Sequence, residues 1–444
     1  MQNIRFLAQI TLQAKTPLKV GSGDSDFLSD APVQKDFNSL PMILGTSIAG
    51  VLRDKFRDVL KEKENEIFGY EEHKKDKGQS SNLIVSNAML CDENSKVVEN
   101  LGFDSKFLNK YLNLPLREHT AIDEKGVAKE HSKFDEEIVF KGSRFKFELE
   151  LLSNGLSHTE WNNILYAILS EDFRLGSGST KGFGSFECIE IKTRVLNLED
   201  KNDLKEYLNK TSSLNCDFKW QEFIKDDDNL YKNSYTKYTL KLKPDDFFIF
   251  GSGFGDDEAD NTPVYEKVVI WENNKGSFSK EKVLIPASSI KGAIAHRVAY
   301  HYNRLNGATI ENSNGKIGEK NKAVVEIFGH KKESKDNKEV GQKGKILIGD
   351  CYLQNQPTKI FDHVAIDRFT GGAIDGALFQ EKTVASSDGF DLEIFLDKSV
   401  KDKELEAFEE ALKDICNGML GLGGMNTKGH GFFSGDVFKD GEKL

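Results

Sequence analysis

Two recurring patterns in this chain have the chemistry to hold a phosphate. In the first, Leu284-Ile-Pro-Ala-Ser-Ser-Ile-Lys-Gly-Ala-Ile-Ala-His-Arg puts Ser289 and Lys291 at the head of a helix. Ile290, Ala293, Ile294 and Val298 fall on one face of that helix, and Ser289 is placed to act as its N-cap. A helix start offers unpaired backbone N–H groups and a partial positive charge, and both favour phosphate. Most capped helices bind nothing, so the pattern gains weight from its repetition. Met42-Ile-Leu-Gly-Thr-Ser-Ile-Ala-Gly-Val-Leu-Arg repeats it, with Ser47 opposite Ser289 and Arg53 on the following turn. Ala49 stands where a lysine is expected, which predicts an unequal grip in the two copies. In the second pattern, Lys181 in Gly-Ser-Thr-Lys-Gly and Lys428 in Met-Asn-Thr-Lys-Gly sit on glycine-rich turns. Glycines let backbone N–H groups come close to a phosphate. Neither turn is a Walker sequence, because Lys follows Thr and the glycine spacing differs.

The elements that carry these residues occur in the same order twice. An alternating strand at 4–12 leads through a Gly- and Asp-rich loop to the helix with Ser47, then to Ile67-Phe-Gly, a strand from Leu83, and Glu118-His-Thr-Ala-Ile-Asp. A strand through Phe145, Phe147, Leu149 and Leu151, a helix through Trp161 and Ile168, and the Lys181 turn follow, with a last strand near 184–194. From Tyr238 the series restarts, through the Ser289 helix, Ile327-Phe-Gly, Asp362-His-Val-Ala-Ile-Asp, a helix at 402–417 and the Lys428 turn. Five signatures in one order indicate an internal duplication. The expected architecture is α+β: two tandem βαββαβ, ferredoxin-like (RRM-like) domains with loop insertions, at 1–197 and 234–444. The polar stretch 198–233 reads as their connection, partly packed through Trp220 and Phe223. The charged stretches 70–79 and 330–345 read as loops.

Composition sets the outer bounds. The 444 residues carry a net charge of −11, so a polyanion must be met by a local basic groove rather than by the whole surface. Five scattered cysteines form neither a zinc pattern nor a disulfide framework, which suits the cytoplasm. There is no apolar run of membrane-spanning length, so no membrane partner is expected.

Taken together, the helix starts, the Ile-Phe-Gly repeats, the Ala-Ile-Asp loops and the Thr-Lys-Gly turns resemble the RAMP superfamily of CRISPR proteins. Within it, the chain looks like the repeated backbone subunit of type III effector complexes, with two copies fused in a type III-D-like arrangement. The resemblance implies a subunit that binds guide crRNA along a filament beside other CRISPR effector subunits and cleaves complementary target RNA. In that family a loop aspartate in an Asp-x-Pro-Val pattern supports metal-dependent cleavage. Asp30-Ala-Pro-Val matches, and Asp260-Asn-Thr-Pro-Val matches with one extra residue, so the implied catalytic pair is Asp30 and Asp260. Asp24, Asp26, Asp36, Asp256 and Asp257 are neighbouring alternatives. The implied cofactor is Mg²⁺ or another divalent cation, whose ligands the sequence leaves open.

The implied RNA-backbone contacts are Ser47, Arg53, Lys181, Ser289, Lys291 and Lys428. The implied thumb, which separates guide from target, carries Ile122 and Asp123 in the first copy and Ile366, Asp367, Arg368 and Phe369 in the second. The first copy has Glu124 at the Arg368 position. His119 and His363 read as structural partners of these loops. Two other RNA-related functions fit the same residues: a non-cleaving crRNA scaffold, or a metal-independent nuclease that processes precursor crRNA.

Overall fold

The computed structural model describes the chain apart from residues 1–2, 24–30, 58–62, 73–76, 124–125, 154–155, 225–232, 309–317, 331–340, 355 and 386–387. In the first half, strand Ile4–Ala14 lies between Arg144–Leu152 and Phe186–Asn197, antiparallel to both. The short strands Leu83–Val85 and Ala88–Leu90 add beyond Arg144–Leu152. Alternation turns Phe6, Ala8, Ile10 and Leu12 inward with Phe145, Phe147, Leu149 and Leu151. They bury Ile48, Leu52 and Phe56 of helix Gly45–Arg57 and Trp161, Ile164 and Ile168 of helix His158–Leu169. The latter helix starts on a capping box formed by Ser157 and Glu160.

The second half repeats this order around strand Tyr235–Pro244. Its neighbours are Phe390–Asp397 and Phe433–Lys439, and Ile346–Ile348 lies beyond the former. Helices Ala287–Leu305 and Asp402–Cys416 cover it through Ile290, Ile294 and Val298 and through Phe408, Leu412 and Ile415.

Three features differ from the sequence expectation. The stretch 198–233 does more than connect: its helix Lys201–Leu208 and its pair Gln221–Glu222 lie against the first sheet. Gln9, polar and nearly buried on the sheet's second face, donates to the Leu214 carbonyl at 3.1 Å, so this segment covers that face. The charged stretches also pair, Tyr70–Glu72 with Lys77–Gln79 and Gly329–His330 with Gln342–Lys343, because each follows directly on a helix end that turns through a glycine. Finally, the second half carries a hairpin without a counterpart among the described residues of the first, Val269–Glu272 with Lys275–Phe278. It plugs into the first half's core. Phe278 sits among Phe107, Tyr111 and Phe140, while Trp271 donates to the Gly142 carbonyl at 2.7 Å beneath the Arg144 guanidinium.

Candidate nucleic-acid interface

The two helix starts are built alike, but not as expected. Ser47 and Ser289 lie inside the first turn, and neither caps its helix by side chain. The cap comes from the following strand. Asn87 Oδ1 accepts from the Gly45 N–H at 2.9 Å, and Asp350 Oδ1 accepts from the Ala287 N–H at 2.8 Å. Each strand breaks at this residue, giving Leu83–Val85 and Ala88–Leu90 in one half and Ile346–Ile348 and Cys351–Leu353 in the other. The break turns the polar side chain onto the helix end, where an orphan N–H needs it.

The second helix start lies on the seam between the halves. The Thr-Lys-Gly turn of the first half packs on it so closely that a Cβ on Gly182, at φ +108°, would meet Asp350 Oδ1 at 2.3 Å. Thr180 Oγ1 thereby accepts from Lys291 Nζ at 3.0 Å. Burial, then the Lys181 charge, pushes the Lys291 ammonium down to about 8. Lys291 has no carboxylate within salt-bridge distance among the described residues, so an anion arriving here would relieve the repulsion between the two ammonium groups. Behind them, Arg117 reaches from the first half to Asp350 at 2.6 Å and to Glu266 at 2.6 Å. All three side chains are nearly or fully buried, which makes this a bolt between the halves.

A second arrangement occurs once per half, at the base of a hairpin. Leu116–His119 pairs with Phe134–Glu137, and Thr358–His363 pairs with Phe379–Ala385, with His119 opposite Phe134 and His363 opposite Phe379. His119 stacks on Phe134 at 5.1 Å between ring centres, and His363 on Phe379 at 4.7 Å. Each imidazole also meets a buried carboxylate, Glu136 at 3.3 Å and Glu381 at 3.1 Å. Lys181 Nζ lies 4.9 Å from the centre of the Phe134 ring, and Lys428 Nζ lies 4.3 Å from that of Phe379. The halves differ in one partner: Lys19 also binds Glu136, at 2.5 Å. Burial raises the Glu136 carboxyl, but the hydrogen bond from Lys19 and the nearby His119 imidazole outweigh it and hold the group at about 2.

The acidic loop meets the second hairpin along strand Phe379–Ala385. Asp260 Oδ2 accepts from the Gln380 N–H at 2.7 Å, and its other oxygen has no partner among the described residues. Asp256 and Glu258 both bind Lys382, at 2.7 and 2.5 Å. Alternation sets Phe379 and Glu381 on one face of the strand and Gln380 and Lys382 on the other. The cationic turn and the acidic loop therefore approach the hairpin from different sides. Asp30 lies outside the described residues, as do Asp24 and Asp26. Asp36 closes a turn, accepting from the N–H groups of Asn38 and Leu40. No group of three His, Cys, Asp or Glu residues suited to a metal occurs among the described residues.

Two stretches, residues 11–187 and 276–434, match the model of the RAMP superfamily, one stretch in each half. The chain belongs to the RAMP superfamily. Its members are in general CRISPR-associated RNA-binding proteins, often related to CRISPR ribonucleases. Comparison with curated proteins gave no match. No helix among the described residues is long and apolar enough to cross a membrane.

The remaining predicted positions of this RAMP protein separate into exposed and engaged groups. Ile122 and Ile366 are half-exposed, Arg368 is exposed, and Phe369 is fully exposed at the second hairpin tip. Asp123 and Asp367 build the tips: Asp123 Oδ1 accepts from the Val127 N–H, and Asp367 Oδ1 accepts from those of Phe369 and Thr370. Arg53 is engaged, donating to Glu64 at 2.7 Å and to Asn65 at 3.2 Å, so its guanidinium is directed at the neighbouring short helix. The sequence reading missed Asn87, Arg117, Phe134, Glu136, Asp350, Phe379 and Glu381. One signal was available for four of them: each His is followed, after similar spacing, by Phe-x-Glu in both halves.

Proposed function

We propose that this RAMP protein is a two-copy backbone subunit of a type III CRISPR complex, type III-D-like, that holds guide crRNA and cleaves complementary target RNA in the cytoplasm. The observation that carries the reading is the duplicated placing of a turn lysine over a hairpin-base ring, with Lys291 of the second helix start donating to Thr180 beside Lys181 across the seam. Each half is then a ferredoxin-like domain, 1–197 and 234–444, a reading favoured by the shared strand order. The stretch 198–233 belongs with the first. Ser289 and Lys291 meet the guide backbone at the seam, Lys428 meets it beyond the second half, and Ser47 contributes at the first helix start. The hairpins, with Ile122, Ile366, Arg368 and Phe369 toward their tips, stand between guide and target.

Cleavage belongs to the acidic side. A target strand kinked at the hairpin brings a ribose 2′-OH in line with its phosphate; Asp260 supplies one carboxylate oxygen, and Asp30 is the corresponding residue of the first half. That donor set fits a divalent cation held mainly by phosphate oxygens and water, as Mg²⁺ commonly is. The bound cation supplies charge stabilisation at the phosphate. In the chain assembled with crRNA and its partner subunits, Asp30→Ala with Asp260→Ala should keep RNA binding and remove two cleavage positions. Unchanged product bands would reject these aspartates. A non-cleaving scaffold is the second reading, favoured by the engagement of Asp256 and Glu258 with Lys382; it predicts no target cleavage even with Mg²⁺ present. Cleavage of precursor RNA that persists in EDTA would instead indicate the processing nuclease.

A further inference from the structure

We propose that Phe134 and Phe379 are positioning residues for RNA binding, each holding the lysine of its half's Thr-Lys-Gly turn against a hairpin base. The proposal rests on the RNA-binding reading and goes beyond it to residues that touch no RNA.

The geometry is the same in two places that share no atoms. Each ring faces an imidazole across the strand pair, and each imidazole lies beside a buried carboxylate, hydrogen-bonded to it in the case of His363. The cross-strand stack on the imidazole holds the ring, and the ring draws the ammonium to within 4.9 and 4.3 Å of its centre. Lys428, on a glycine-rich turn, would otherwise sample many rotamers, and ordering it only on binding would cost entropy. The quadrupole of the ring attracts the cation without neutralising it, as a carboxylate would. The Lys428 ammonium thus stays available for a phosphate while its position is set in advance. Lys428 fits this well, since no carboxylate lies within salt-bridge distance of it among the described residues. A base-stacking role for either ring is disfavoured, because each already carries an imidazole and an ammonium.

The test uses the full chain and a fluorescein-labelled single-stranded RNA oligonucleotide. Phe379→Leu should raise Kd about two- to fivefold, the range of one cation–π contact. Phe379→Tyr, which keeps the π face, should restore binding to within about twofold of the unsubstituted chain. In a Lys428→Met background, Phe379→Leu should change nothing further; Phe134→Leu and Lys181→Met should behave likewise. If the Phe and Lys substitutions multiply, or if Tyr acts like Leu, the rings do not work through the lysines and the proposal falls while RNA binding stands. A general folding defect would also multiply with the Lys substitution, so it cannot imitate the expected result. An unsubstituted chain that binds no RNA removes the RNA reading and this proposal together.

Discussion

The two Thr-Lys-Gly turns share their sequence logic and their hairpin-base lysine, yet they face different surroundings. The Lys181 turn is wedged against the second half, where Gly182 touches Asp350 and Thr180 accepts from Lys291. Around the Lys428 turn, a Cβ on Gly429 would meet nothing within 4 Å. The same glycine is therefore a close-packing requirement in one half and only a conformational one in the other. The helix starts diverge in the same way. Neutral Asn87 suffices in the first half, whereas Asp350 in the second also receives Arg117 from the first. Each half has its own turn and helix start, and the seam joins the turn of the first half to the helix start of the second.

Removing the joint should have the largest effect. Arg117→Ala strands Asp350 and Glu266 as buried carboxylates and should lower stability by about 3–5 kcal/mol. Arg117→Met combined with Asp350→Asn and Glu266→Gln should recover most of that loss, both read from denaturant midpoints. Next, Gly182→Ala should cost about 3 kcal/mol and Gly429→Ala about 1 kcal/mol. Both meet the positive-φ penalty, but only Gly182 adds a clash, with the packed side chains of Asp350 and Ala287. Equal losses would mean that the seam is looser than its contacts indicate.

For RNA, replacing Lys181 and Lys291 together by Met should reduce the slope of log K against log salt by about 1.4. Lys428→Met should reduce it by about 0.7, reflecting one phosphate contact rather than two. The smallest effect concerns pH. The Lys291 pKa is held below its unfolded value, so its charge disfavours the fold at neutral pH, and that cost is relieved as pH rises from about 8. RNA favours the charged form, so affinity should fall as pH rises through about 8 while the free protein loses no stability from this group. Lys291→Met should remove that pH dependence, as read by RNA titrations at constant salt.

The duplication, the strand and helix order and the lysine turns were legible in the sequence, because apolar periodicity and glycine punctuation are local properties of the chain. The helix caps were not. Ser289 has the type and spacing of an N-cap, but Asn87 and Asp350 take that role from strands about 40 and 60 residues downstream. The hairpin Val269–Glu272 with Lys275–Phe278 lay hidden for a related reason, since Phe278 packs on Phe107, Tyr111 and Phe140 and Trp271 on Gly142 and Arg144 of the other half. By itself, the sequence determined that there are two units and which short stretches could meet phosphate. Only the tertiary structure decided which of those stretches meet one another, because a contact such as Lys291 with Thr180 depends on how two separately formed sheets settle against each other.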